Sequence, residues 1–405
     1  MKGTKLHYGY VIVACCCLIM GVNVGLTFSC AGIFFKPVSE ALGVPVGEFS
    51  IYMSVMYVTS ALMLPLAGKM MERGSARWCL AGASALMGAA FVLMACATSV
   101  WAFYVAGAVL GVTLAFLMYL SFPTLVNRWF HTRVGVMIGI CAAASGLGGM
   151  LFNPVAGALI GSIGWRYTYG CFAAVILLIV SPLLALLLRN YPEDKGLKPY
   201  GAGAVKQQAA ASTGIAYEKA VKIPALYAVA VFSLIMMGVS TLNLFVPPYA
   251  QGLYGLEQAS VMAAVVMGGA AVGKVVLGWI NDRNCMAGLL VTTLFGIAGL
   301  VMLVTCSASL PLMYVGAFLF GWEYSGVTVQ TAMITKTIFG TRNYAQIYSL
   351  VSIALAAGGA LASGGWGLLA DATGYSTVML IGAVVLAVGL VIAALALRSR
   401  SKTQA

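Results

Sequence analysis

Two charged residues interrupt long apolar stretches of this sequence, and their types allow chemistry that the surrounding residues cannot do. Lys274 lies eight residues before Asp282, so ~12 Å inside the nearer end of a helix. Glu323 lies near the middle of a second apolar run, 310–335. A charge at such a depth in lipid costs ~2.5–3.5 kcal/mol on insertion scales, so each side chain is expected to face a cavity or a partner. An ammonium group there is a candidate counter-ion for an anion, and a carboxyl group is a candidate proton carrier.

Other interpretations of the same two residues stay open. Lys274 could extend its ammonium group to the membrane surface, or it could form a purely structural ion pair. Glu323 could pair with Lys274, which would lower the cost of burying both charges. Measured from the helix ends, the two residues lie at ~20 Å and ~12 Å, so direct contact would need long side chains that lean together.

The elements that position these residues are predicted to be membrane-spanning helices. Apolar residue types make up 62% of the 405 residues and charged types only 8%, too little charge to cover the surface of a water-soluble domain. One span takes ~20 apolar residues, and the first run is too long for a signal-peptide core. The sequence therefore predicts an all-α membrane protein with twelve transmembrane helices. Their predicted bounds are 8–35, 49–69, 78–98, 101–126, 134–160, 166–188, 224–249, 258–281, 286–306, 310–335, 344–370 and 376–397.

The lysine and arginine residues predict the orientation. All but three of the 22 fall on one side of the twelve spans, and the exceptions are Lys36, Arg166 and Lys274. Because basic residues collect on the cytoplasmic side, both termini are predicted to be cytoplasmic, in a multi-pass protein of the plasma or inner membrane. The net charge of +12 then reflects contact with anionic lipid rather than nucleic acid binding.

The chain is predicted to consist of two similar halves, 1–188 and 223–405, joined by a cytoplasmic linker, 189–222. Three groups of residues recur at a spacing of 209 or 210 residues, which indicates a duplication. The groups are Gly68-x-x-x-Glu72-Arg73 with Gly278-x-x-x-Asp282-Arg283, then Gly149, Gly157 and Gly164 with Gly359, Gly367 and Gly374, and Phe130-His131-Thr132-Arg133 with Phe339-Gly340-Thr341-Arg342. Parallel repeats of six spans place a substrate site between the halves, near the bilayer midplane.

The repeat also shows that the fold does not require the two buried charges. At the same spacing, the counterpart of Lys274 is Leu64. The counterpart of Glu323 is Thr113 or Leu114. The repeated architecture therefore does not need a charged residue at either position.

The motif that contains Glu72-Arg73 and its counterpart Asp282-Arg283 resembles the loop motif of the major facilitator superfamily. This resemblance implies two pseudo-symmetric six-helix bundles. An acid and a base at such helix ends are predicted to form a latch that a rocking motion breaks. A narrower resemblance is to the bacterial monocarboxylate and oxalate/formate porter group. It rests on His7-Tyr8-Gly9-Tyr10, Gly32-Ile33-Phe34-Phe35-Lys36-Pro37, Asn127-Arg128-Trp129-Phe130 and Gly164-Trp165-Arg166.

The narrower resemblance implies a small organic anion as substrate, such as lactate, pyruvate, formate or oxalate. The resembling porters carry an arginine four residues before the motif glycine, where this chain has Lys274 before Gly278. That match implies that Lys274 is the counter-ion of the substrate carboxylate. The resemblance also places an aromatic hydroxyl residue in span four, so Tyr119 is the first choice for a hydrogen bond to the substrate. Further candidates for substrate contact are Tyr324, Asn23 and Gln330, and Tyr57 is another polar group within a span. For each of these polar groups, hydrogen bonding between helices is an equal alternative.

The chain departs from animal monocarboxylate porters and from oxalate exchangers at three places. The cavity lysine that animal monocarboxylate porters carry in span one falls at about Ser29, and their span-eight acid falls at Ala270. No lysine or arginine lies between 343 and 397, where oxalate exchangers carry a lysine. These differences count against a doubly charged substrate and leave proton coupling open.

These observations predict a secondary transporter of small organic anions, by symport or exchange, that is monomeric and embedded in the bilayer. One alternative is an exporter of hydrophobic or cationic compounds, in which Glu323 would bind the cation. Others are an oxalate/formate-type exchanger and a membrane sensor that uses segment 189–222. No phosphate-binding glycine run and no metal-ligand spacing of cysteines or histidines is present, so neither an enzyme nor a cofactor is expected.

Overall fold

The computed structural model describes residues 7–201, 214–340 and 342–399. Six residues used in the sequence argument lie outside the described residues. Five belong to the charge count, and Thr341 belongs to the repeated segment. The five are Lys2, Lys5, Lys206, Arg400 and Lys402.

The described chain is mostly helical, with isolated backbone bridges and no strand. The first four helices are α1 (Gly9–Leu42), α2 (Val46–Arg73), α3 (Ala76–Ala95) and α4 (Val100–Trp129). The long stretch Val134–Leu187 contains α5 (134–163) and α6 (165–187), and Pro224–Arg283 contains α7 (224–254) and α8 (256–283). The last four are α9 (Cys285–Thr305), α10 (Leu310–Phe339), α11 (Tyr344–Thr373) and α12 (Tyr375–Arg398).

The two long stretches each break at a glycine. Gly164 has φ 81° and Gly255 has φ 84°, a conformation that glycine adopts without strain. Unbroken, a stretch of 54 residues would be ~80 Å long, more than twice the thickness of the hydrocarbon core. Nine helices of the described chain qualify as spans by length and hydropathy, counting each long stretch once and leaving out α10. The all-α multi-pass fold is confirmed, and the number twelve stays a prediction that the two breaks support.

Three helices contain a wider, π-helical stretch. These stretches are Ile19–Ser29 in α1, Ala115–Leu120 in α4 and Val175–Val180 in α6. A π-helical turn takes an extra residue, so it rotates the side chains that follow it relative to the ordinary 3.6-residue period. Two of the predicted site residues, Asn23 and Tyr119, lie inside such stretches, and sequence periodicity alone does not give their direction.

The mid-helix surface is apolar, as expected where lipid replaces water. Leu62 of α2, Leu178 of α6 and Leu361 of α11 are each more than 70% exposed. Burying such side chains would be favourable in water, so their exposure along several helices is typical of a chain that lies in hydrocarbon.

The linker lies at one end of the helices, which we call the linker end; the opposite end is called the distal end. The amide of Tyr200 donates to the carbonyl oxygen of Trp129 at 2.8 Å, and the amide of Ile215 donates to Phe339 at 2.9 Å. Phe339 is the repeat counterpart of Phe130, which directly follows Trp129. Each described end of the linker is therefore attached to the equivalent loop of one half. The predicted orientation makes the linker end cytoplasmic.

The duplication predicted from sequence is visible in contacts between the halves. A Cβ on Gly157 would overlap Ser260, and a Cβ on Gly367 would overlap Ser50. Gly367 is the repeat counterpart of Gly157, and Ser50 is that of Ser260, each at a spacing of 210 residues. At the distal end the rings of Phe35 and Phe245 lie 5.5 Å apart between centroids. Residues related by a two-fold axis meet each other only near that axis, so these counterparts locate the pseudo-symmetry axis between the halves.

Candidate functional site

Lys274 reaches from α8 across to α5, in the other half of the protein. Its Nζ donates to Oγ of Ser145 at 3.1 Å and to the carbonyl oxygen of Ala142 at 3.3 Å. The side chain keeps partial exposure at this level. The ammonium group thus lies at the boundary between the halves.

Glu323 of α10 lies in a different environment. It is fully buried, and neither carboxyl oxygen has a hydrogen-bond partner among the described residues. It packs against α9 and α12, since a Cβ on Gly296 would lie 2.6 Å from Cβ of Glu323 and 2.8 Å from Leu386. The carboxyl group therefore points into the second half rather than toward the boundary that Lys274 faces.

The expected difference in height between Lys274 and Glu323 is wrong. Gly273 of α8 packs directly on α10, where a Cβ would lie 3.3 Å from Cα of Trp322 and 3.0 Å from Cβ of Ser325. The two charged residues are therefore nearly level, because α8 and α10 do not end at the same height. They fail to pair because their side chains point in different directions. Within the described residues an ion pair forms between Lys36 and Glu40 at 3.9 Å, and Lys274 and Glu323 form none.

Three tyrosines from three helices lie near one another between the halves. Tyr57 of α2, Tyr119 of α4 and Tyr324 of α10 are close enough to interact electrostatically. Tyr119 and Tyr324 keep partial exposure, and Oη of Tyr57 is buried without a hydrogen-bond partner among the described residues. The structure therefore brings together two of the predicted substrate contacts and adds Tyr57. Phenol hydroxyl groups can donate hydrogen bonds to a carboxylate.

The tyrosines and Lys274 lie at a similar depth. Tyr324 follows Glu323 on α10 and precedes Ser325, which packs against Gly273 next to Lys274. Tyr57 packs on α11 of the opposite half, where a Cβ on Gly359 would lie 2.7 Å from its ring. A small anion between the halves would have one cation and up to three phenol groups at this level.

Asn23 and Gln330 are placed inside the halves, apart from the tyrosines. Nδ2 of Asn23 donates to Oγ of Ser84 on α3 at 2.9 Å. Oε1 of Gln330 accepts from Nδ2 of Asn281 on α8 at 2.9 Å, and its Nε2 donates to the carbonyl oxygen of Cys285 at 3.1 Å. These bonds join helices of one half, so the geometry favours the interhelical role that the sequence left open for both residues.

The four residues of the predicted latches lie at the linker end. Glu72, Arg73, Asp282 and Arg283 are all exposed, and in the described part of the chain none forms an ion pair. The guanidinium carbon of Arg283 lies 3.7 Å from the ring centroid of Trp279 instead. The latch stays a prediction, and its residues are unpaired in this conformation.

The halves are joined instead toward the distal end. The carboxylate of Asp371 on α11 accepts a hydrogen bond from the amide of Gly47, in the first turn of α2, at 2.7 Å. Oγ of Ser54 lies 2.9 Å from Oγ of Ser363. Gly32 of α1 packs against the backbone of Leu244. A Cβ on Gly32 would lie only 2.7 Å from the carbonyl oxygen of Leu244. The protein is therefore closed at the distal end.

Sequence reasoning missed Ser145 and Asp371, and it treated Tyr57 only as one polar group among several. A signal for Asp371 was present, because Gly367-x-x-x-Asp371 repeats the glycine-to-acid spacing of the two loop motifs. No comparable signal marks Ser145, which is one of several serines in a span. In the described residues, no group of three or more His, Cys, Asp or Glu is arranged to hold a metal ion.

A sequence profile for the Major Facilitator Superfamily matches residues 17–306 and 258–405. The chain belongs to this superfamily, and it is a multi-pass membrane transporter. The family resemblance seen in the loop motifs is confirmed.

Individual proteins show what the chain is similar to within that superfamily. It is 23% identical to monocarboxylate transporter 12 of Homo sapiens over 370 residues, which cover 85% of this chain and 71% of that protein. It is 27% identical to the oxalate:formate antiporter of Oxalobacter formigenes over 204 residues, 49% of this chain and 46% of that one. The solved structure of a bacterial homologue of the human lysosomal transporter Spinster, inward-facing and occupied, has a TM-score of 0.77 at 16% identity, with 98% of each chain covered. At that identity the likeness to the Spinster homologue shows the fold alone.

Proposed function

We propose that the protein is a secondary active transporter of a small monocarboxylate, such as lactate, pyruvate or formate. The observation that carries the proposal is Lys274, a cation held by α5 at the boundary between the halves. An ammonium group in a site of low dielectric attracts a carboxylate far more strongly than it does in water. Relatives named as monocarboxylate and oxalate:formate transporters support the same substrate class.

Transport proceeds by alternating access, with residues 1–188 and 223–405 rocking about the site and the linker 189–222 on the cytoplasmic side. Closure at the distal end and unpaired latch residues at the linker end then correspond to a conformation open toward the cytoplasm. Outward opening has to separate Gly47 from Asp371, and it brings the linker-end latch residues Glu72, Arg73, Asp282 and Arg283 toward partners.

Uptake of labelled lactate, pyruvate, formate and oxalate into proteoliposomes tests the substrate class. Lys274→Ala is expected to lose uptake, and Lys274→Arg to retain part of it, because a guanidinium keeps the charge but changes its shape. Lys36→Ala is the matched control, since Lys36 forms only a surface ion pair, worth about 0–1 kcal/mol. Uptake by Lys274→Ala at the level of the unmodified protein would count against the proposal.

Glu323 is proposed as the group that binds the transported proton, at a position separate from the anion. A buried carboxyl group with no hydrogen-bond partner is costly when charged, so loading and release of its proton require that its surroundings change. Glu323→Gln is expected to keep anion exchange between the two sides and to lose uphill uptake driven by a pH gradient. Glu40→Gln, on the exposed surface, is the control. Uphill uptake that survives Glu323→Gln would show that protons move elsewhere or not at all.

A second candidate is an exporter of hydrophobic or cationic compounds. Glu323 is the observation that favours it, because a lone buried carboxylate attracts cations. If the protein has that function, it protects cells from toxic cations. This protection should be lost when Glu323 is replaced, and it should be unchanged in Lys274→Ala. An exchanger of the oxalate/formate type would instead move labelled anion only when an anion is present on the other side.

A further inference from the structure

The ammonium group of Lys274 can donate three hydrogen bonds, and two of them are already made. Ser145 Oγ and the Ala142 carbonyl oxygen accept them, at 3.1 and 3.3 Å, and both acceptors belong to α5. One N–H of the ammonium group is left for a ligand that lies between the halves.

A hydrogen bond within α5 fixes the orientation of the Ser145 hydroxyl group. It donates its own hydrogen to the carbonyl oxygen of Ala142 at 2.8 Å, a local bond that serine commonly makes in helices. The oxygen lone pairs are therefore the part of Ser145 that faces the ammonium group. The helix α5 presents two acceptor oxygens side by side, at fixed positions.

The close approach of α5 and α8 near this site depends on a neighbouring glycine. A Cβ on Gly146 would lie 3.1 Å from Cβ of Ala271 and 3.2 Å from the carbonyl oxygen of Met267, both on α8. Ala271 lies one turn before Lys274 on the same helix face. The glycine thus lets the lysine reach a carbonyl oxygen of the opposite half without a bridging group.

We propose that Ser145 is a positioning residue for Lys274, which together with the Ala142 carbonyl aims the remaining ammonium N–H at the substrate carboxylate. The inference rests on the proposed function, because it assumes that the substrate is an anion held by Lys274. Ser145 itself does not contact the substrate. Because Ser145 and Lys274 belong to different halves, the anion is held tightly only when the two halves are in the relative position seen here.

Initial rates of anion uptake in proteoliposomes test this assignment. Ser145→Ala is expected to raise KM about tenfold and to leave kcat within about twofold, because a hydrogen bond to a charged group is lost while the ammonium remains. Ser145→Thr keeps a hydroxyl that can make the same local bond, so it is expected to restore KM to within about threefold.

Ser162→Ala is the matched control, since Ser162 lies on the same helix and bonds to the carbonyl oxygen of Ala158 at 2.8 Å, and no lysine of the described residues donates to it. Its KM is expected to stay unchanged. Thermal unfolding of each purified variant checks that folding is intact.

The outcomes separate this inference from the proposed function. If Lys274→Ala abolishes uptake while Ser145→Ala keeps the original KM, the positioning role is overturned and the substrate class stands. A fall in kcat at constant KM in Ser145→Ala would also overturn it, because that result indicates a packing role. Undiminished uptake by Lys274→Ala would remove the proposed function and the inference together.

Discussion

The interfaces α2–α11 and α5–α8 are counterparts in the repeat, yet they carry different polar groups. Both bring a glycine of one half onto a serine of the other: Gly367 onto Ser50 in the first, and Gly157 onto Ser260 in the second. The first interface ends in a carboxylate bonded to a helix terminus at the distal end. The second instead carries Lys274, deep between the halves.

The difference between the two interfaces lies in charged residues that the repeat does not share. The counterpart of Lys274 is Leu64, and that of Asp371 is Gly161. Close packing of small residues is common to both interfaces, as expected of helices that approach closely in membranes. Each charge occurs in one interface only, so we infer that α2–α11 closes the distal end and α5–α8 holds the substrate.

The largest effect is expected from a larger side chain in the α2–α11 interface. Gly367→Val would place methyl groups against Ser50 and Gly47, and overpacking of this kind costs about 1–3 kcal/mol. Because the strain exists only when the distal end is closed, anion uptake in proteoliposomes is expected to fall at least tenfold. The control is Gly365→Val, since a Cβ on Gly365 would meet no atom within 4 Å. Equal uptake by both variants would show that this interface does not have to close.

A smaller effect is expected when only the charged group at the distal end is removed. The carboxylate of Asp371 lies at the N-terminal end of α2, where free amide groups and the helix dipole stabilise negative charge. Asp371→Ala is expected to speed hydrogen exchange about fivefold in peptides that cover residues 44–54, while exchange across α5 and α8 stays unchanged. Asp371→Asn keeps an acceptor oxygen and should lie between the two. Faster exchange at both interfaces would contradict their separate roles.

The smallest effect is expected from Ser54→Ala. Its hydroxyl bonds to Ser363 across the boundary, and a neutral hydrogen bond contributes about 1 kcal/mol. The same exchange measurement should therefore show a smaller change than that of Asp371→Ala, again confined to α2 and α11. Ser349→Ala is the control, because that serine is exposed and bonds to a carbonyl oxygen of its own helix. A change larger than that of Asp371→Ala would reverse the order of the two contacts.

Much of the fold could be predicted because hydropathy, basic residues and the repeat each depend on composition along the chain. The match of Gly157 with Gly367 in the repeat correctly predicted equivalent contacts, because a small residue is needed where two helices approach closely. Lys274 stood out because a charge in lipid is costly wherever it points. None of these signals depends on how a helix is rotated about its axis.

The directions of the side chains could not be predicted from the sequence. Heights counted from helix ends placed Glu323 and Lys274 at different levels, but α8 and α10 end at different heights, so the residues are nearly level and face different ways. Asn23 lies in a π-helical stretch that the 3.6-residue period does not describe. The partner of Lys274, Ser145, belongs to the opposite half, and its counterpart Leu355 gives no sign of a polar contact.

Equilibrium binding of labelled lactate, pyruvate, formate and oxalate to the purified protein tests most directly whether Lys274 is the counter-ion of the substrate. Binding separates recognition of the anion from the movements that complete transport. At least one of these acids is expected to bind the unmodified protein, to bind Lys274→Ala at least about tenfold more weakly, and to regain part of its affinity in Lys274→Arg. Equal affinity of the bound acid for the unmodified protein and for Lys274→Ala would contradict the account.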